Sequence, residues 1–85
     1  MNWVKFKDSA ESSMHIWRIK YNNFVVEVYA VSGITKGEEF VEDIFTFEVY
    51  NHEKQMYYHH TEMYLTLEET QNAAINWVVS YVENN

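Results

Sequence analysis

Four histidines, at positions 15, 52, 59 and 60, are the residues of this 85-residue chain best suited to chemistry. An imidazole can move protons near neutral pH or ligate a metal ion. His59 and His60 are adjacent, so on a strand they point to opposite faces and cannot share one ion. His15 and His60 are expected on a common face, with His52 in a turn. Cysteine is absent, and no two histidines stand four apart on a predicted helix. Serines at 9, 12 and 13 fall in a polar stretch and Ser32 precedes a glycine; none stands between two glycines, as a nucleophile elbow requires. Carboxylates are paired at Glu38–Glu39 and Glu42–Asp43, but acid–base catalysis would need one of them held in an apolar cleft. A short chain offers little room for such a cleft. The sequence therefore argues against an enzyme and points to no catalytic residue, metal ligand or cofactor. A small metal-binding or hydrolytic enzyme using the histidines is kept as the last of three functional expectations.

The elements that would position these side chains must be built without disulfides. A chain of this length makes a single domain, residues 1–85, and buries a modest share of its surface. Large side chains compensate, with 3 Trp, 7 Tyr and 5 Phe. The absence of cysteine fits a reducing compartment. Met1 to Lys7 lack the apolar core of a signal peptide, and no apolar run is long enough for a membrane span. The expected location is the cytoplasm, with no membrane partner.

Alternating hydrophobicity from Met14 to Val31 predicts a hairpin about Asn22–Asn23, because Asn tolerates the positive φ of a two-residue primed turn. That register sets Tyr21 opposite Phe24, Ile19 opposite Val26, Trp17 opposite Val28 and Arg18 opposite Glu27. Ser32 to Gly37 holds both glycines and is expected to be a loop. Glu39 to Tyr50 alternates again, and after a tight connection at Asn51–Lys54 the chain is expected to return as a strand from Gln55 to Tyr64. An even loop there pairs Val49 with Met56, Phe47 with Tyr58, Phe45 with His60, Glu48 with Tyr57 and Thr46 with His59. Trp3 to Phe6 adds an edge strand, followed by a polar loop from Asp8 to Ser13. Thr66-Leu67-Glu68-Glu69 reads as a capping box. It opens a helix with Leu67, Ala74, Ile75, Val78, Tyr81 and Val82 on one stripe and Trp77 at its rim. The fold class is α+β: an antiparallel sheet of four to five strands, a meander of hairpins, with one C-terminal helix packed on one face.

One helix covers one face, and the Phe24, Val26, Val28 face suits it. The other face is then left with Met14, Ile16, Val25, Tyr29, Val31, Ile44, Tyr50 and Tyr57, and with Glu27 and Glu48 among them. Contiguous apolar and aromatic surface of this kind marks interaction sites. Glu27, Tyr29, Ile44, Glu48, Tyr50 and Tyr57 are the expected partner-binding residues, with tyrosines as anchors and carboxylates as charges. The balance of 6 basic against 13 acidic residues gives a net charge of −7. That charge repels phosphate, so direct nucleic-acid binding is not expected, although Arg18 and Lys20 give one edge some positive charge. The expected partner is another protein with a basic surface. By analogy of size and charge, the first functional expectation is a non-enzymatic inhibitor of the bacteriophage or mobile-element, anti-defence kind, such as an anti-CRISPR or anti-restriction protein. The second is a homo-oligomeric structural or assembly protein, in its simplest form a homodimer, using the same face as its subunit contact.

Overall fold

A computed structural model describes residues 2–7, 15–59 and 62–84, without the side chains of Phe6, Lys7 and Phe40. Strands β1 (Val4–Lys7), β2 (His15–Tyr21), β3 (Phe24–Lys36), β4 (Glu39–Asn51) and β5 (Met56–His59) precede helix α1 (Leu67–Glu83). All five strands form one antiparallel sheet in sequence order, β1-β2-β3-β4-β5. The helix packs on β3 and β4. The α+β meander with one covering helix is therefore the fold.

The β2–β3 hairpin has the predicted register, from Tyr21↔Phe24 through Ile19↔Val26 and Trp17↔Val28 to Ile16↔Tyr29. Asn22 takes the positive φ of the turn, at 53°. A one-residue slip would turn Val26 and Val28 out to solvent, and both are fully buried. Burial of that apolar face against the helix fixes the pairing. Ile19, Phe24, Val26, Val28, Phe47 and Val49 meet Ala74 and Val78 in the core.

Two expectations of register are corrected. Ser32 to Gly37 is not a loop: β3 continues to Lys36, and the chain turns at Gly37–Glu38, with Lys36 opposite Glu39. Gly37 supplies the left-handed residue of that turn, at φ +64°. Irregularities between Ala30 and Ser32 and between Ser32 and Gly33 offset each other, so pairing resumes beyond them in its original register. The β4–β5 hairpin is shifted by two residues from expectation. Asn51 pairs with Met56, Tyr50 with Tyr57, Val49 with Tyr58 and Glu48 with His59. His52 to Gln55 make the loop, in which Asn51 Oδ1 accepts from the backbone N–H groups of Glu53 (3.0 Å) and Lys54 (3.2 Å). Gln55 closes it at φ 53°. A shift of two preserves which face each side chain occupies but changes every partner. The returning strand ends at His59, not Tyr64, and Tyr64 then makes an isolated bridge with Phe45. The expected Phe45–His60 pair lies outside the described residues, as do Met14 and the loop from Asp8 to Ser13.

The helix begins at Thr66 as expected, with Thr66 Oγ1 accepting from Glu69 N–H at 3.2 Å, which is one of the two bonds of the capping box. Its buried residues are Thr70, Ala74 and Val78, and Leu67, Ile75, Trp77 and Tyr81 pack beside them. Val82 lies outside the stripe, 36% exposed, and Thr70 lies unexpectedly within it. The Thr70 hydroxyl donates to Thr66 C=O at 2.7 Å, so the polar atom is satisfied within its own helix and the residue can be buried. Among the described residues no helix is long and apolar enough to cross a membrane.

Candidate interaction face

Pleating sends alternate side chains of each strand away from the helix, and pairing aligns them in rows across the sheet. One row runs Ile16, Tyr29, Thr46. The next runs Val4, Arg18, Glu27, Glu48, His59. A third runs Lys20, Val25, Tyr50, Tyr57. An acidic row thus lies between two rows that carry tyrosine.

The acidic row is arranged electrostatically in an unusual way. Glu27 and Glu48 are directly opposite each other, and their side chains are only 23% and 24% exposed. Arg18 donates from Nε (3.1 Å) and Nη2 (2.8 Å) to Glu27 Oε2. His59 Nδ1 lies 3.1 Å from Glu48 Oε2 on the other flank. Tyr29 feels both carboxylates: burial first, then the charges of Glu48 and Glu27, push its hydroxyl above the ordinary tyrosine value. On the other side of the row, Tyr50 contacts Tyr57 (ring centroids 4.6 Å apart) and His52 (4.8 Å). These rings, with Arg18, Lys20, Val25 and Glu27, line an open depression of about 430 Å³.

Five of the six expected residues come together here: Glu27, Tyr29, Glu48, Tyr50 and Tyr57. Tyr57 is well exposed at 57%, while Tyr29 and Tyr50 are half-buried. Ile44 stands apart, pairing with Ser32 where the register of β3 and β4 is irregular. Thr46 is covered, 3% exposed, and its hydroxyl donates to Glu62 C=O at 3.0 Å. That coverage closes one end of the face. The two-residue shift of β5 is what sets Tyr57 beside Tyr50 and His59 beside Glu48; the expected register had set Tyr57 beside Glu48 and His59 beside Thr46. Arg18 was legible as the partner of Glu27. Alternation sets His59 on this face as well, but opposite Thr46; its place beside Glu48, and that of His52 beside Tyr50, depend on the loop length.

Other clusters are less suited to a site. His15 pairs with Glu42 through Nδ1, and its backbone N–H also points to that carboxylate at 3.3 Å. This is a base held by a carboxylate, but no described hydroxyl or thiol bonds to the ring to act as nucleophile. Among the described residues, no three His, Cys, Asp or Glu converge to hold a metal ion. On the helix side Trp77 stacks on Tyr81 at 5.4 Å, and the Tyr58 and Tyr81 hydroxyls lie 3.0 Å apart. The bond from Tyr58, aided by Lys54, holds the Tyr81 hydroxyl below its usual range. These groups pack the rim of the core.

Comparison with protein-family models, with curated proteins and with solved structures finds no match to the chain.

Proposed function

We propose that this chain is a small acidic, non-enzymatic protein-binding domain whose outer sheet face occludes a basic surface of a larger protein. The observation that carries this reading is the Glu27–Glu48 pair, set between Tyr29 on one side and Tyr50 and Tyr57 on the other, on a face the helix leaves uncovered. Tyrosines supply contact area at small entropic cost, and carboxylates among them select a cationic partner and speed its approach. The net charge of −7 acts over longer range in the same direction. An inhibitor of host defence machinery, of the kind mobile elements carry, fits this size and charge.

Affinity capture from lysate of the source cell, repeated with Glu48→Arg and Tyr50→Ala, tests the reading. A basic protein should be retained by the unmutated chain, released at high salt, and lost with both variants. Retention unchanged by both variants would remove the outer face as the interface.

A second reading, self-association, draws on a different observation: β1 and β5 end the sheet as edge strands, whose backbone groups can pair with another copy. Light scattering on size-exclusion fractions separates the two. A monomer at micromolar concentration excludes the dimer.

A further inference from the structure

The row Arg18–Glu27–Glu48–His59 holds two largely buried carboxylates side by side but only one permanent cation. Arginine satisfies one of them, because two guanidinium nitrogens of Arg18 converge on Glu27 Oε2. The flank of Glu48 is different. His59 stands there with its side chain 70% exposed, and its imidazole is charged only when protonated. Like charges directly opposite weaken a sheet, and a carboxylate drawn partly out of water calls for a counter-charge. Nothing in the core requires this arrangement, since both side chains are on the face away from the helix.

Resting on the reading of the outer face as the interface, we infer that the missing cation is an arginine of the partner protein, which enters beside Glu48 in place of the His59 ring and lies against the tyrosines. Arg18 on Glu27 is the same contact made within the chain, one strand away. Arginine suits this position better than lysine for two reasons. Its planar fork can donate twice to one carboxylate, and its flat, weakly hydrated face stacks on rings such as Tyr29, in the row on one side of Glu48, and Tyr50, on the other. A bare metal ion lacks ligands here, because the two glutamates and His59 do not converge. A phosphate is repelled by the same two carboxylates.

Panning a displayed random-peptide library on the intact chain tests the inference, with each retained peptide mapped by backbone amide shifts. The expected pool is enriched in arginine, and its shifts centre on Tyr29, Glu48 and Tyr50. Exchanging the key arginine for lysine, or panning on Glu48→Gln, should weaken binding about ten-fold, the scale of one charge-assisted bond. If Glu48→Gln does not give a folded spectrum, exchange of arginine for citrulline in the peptide, on the unmutated chain, makes the same comparison. Peptides that map to the outer face but bind equally well with lysine or citrulline overturn the arginine and leave the face as the interface. Peptides that map to another surface, or a library from which nothing is retained, overturn both.

Discussion

Replacing Glu48 by glutamine should make the isolated protein more stable while weakening its grip on a partner. Cross-strand side chains directly opposite are about 5 Å apart, and two unit charges at that distance repel by about 0.8 kcal/mol in water and ~3 kcal/mol at an effective dielectric of 20. Glu27 and Glu48 are about three-quarters buried, so their environment lies between these limits. Arg18 offsets part of the repulsion by its hold on Glu27, and the substitution also weakens the Glu48–His59 contact. The net gain expected is about 0.5–1 kcal/mol, the scale of cross-strand pair effects. For a domain of this size that raises Tm by roughly 2–8 °C. Urea or thermal unfolding followed by circular dichroism measures it. The gain must shrink at ~1 M NaCl, where the screening length is about 3 Å. A variant destabilised by more than about 1 kcal/mol, or a gain that salt does not alter, would refute the reasoning, because Glu48 would then be a satisfied structural residue.

Tyr29→Phe should flatten the loss of stability at alkaline pH. Burial and the two glutamates raise the folded-state pKa of Tyr29 above its usual 10.0, so the contribution is intact below that value and is lost as pH rises through the folded value. Urea unfolding from about pH 9 to 11.5 gives the slope, and equal slopes for variant and parent would count against a half-buried Tyr29. Gln55→Gly should stabilise by about 0.5–1 kcal/mol, because a residue with a side chain is held there at φ 53° in a conformation that costs glycine little. The control is Gln55→Ala, which should be close to neutral in the same unfolding assay.

Much of this fold could be read directly, and the parts that could not have local physical causes. The Asn22–Asn23 turn and the Thr66 cap are visible because the residue type is itself the mechanism: Asn accepts a positive φ, and a hydroxyl accepts the bond from Glu69 N–H. Gly33 misled, because glycine next to serine suggests a loop, whereas here it falls within a strand beside a register irregularity. Gln55 carried no signal at all. Glutamine is a poor left-handed residue, so nothing in the sequence marks a loop running to residue 55, and the shorter loop it suggests sets β5 two residues out of register. The expected face survived this error, since a shift of two keeps inside and outside apart. The contacts within the face did not survive it, and the pairs Tyr50–Tyr57 and Glu48–His59 emerge only from the structure.

The contrast between the two faces is the strongest physical argument for a partner. On the helix side the centre of the sheet is closely packed: Val26, Val28, Val49, Ala74 and Val78 are fully buried, and polar Thr70 is bonded within its own helix. On the other side, the same strands place like charges opposite each other and leave Tyr57 largely exposed. Glutamine at 27 or 48 would relieve the repulsion, and a polar residue at 57 would reduce the apolar exposure, without touching the core. A chain of 85 residues has little stability to spare. Retaining an avoidable electrostatic cost on one face, while the opposite face is packed closely, is the trade expected of a surface shaped for binding.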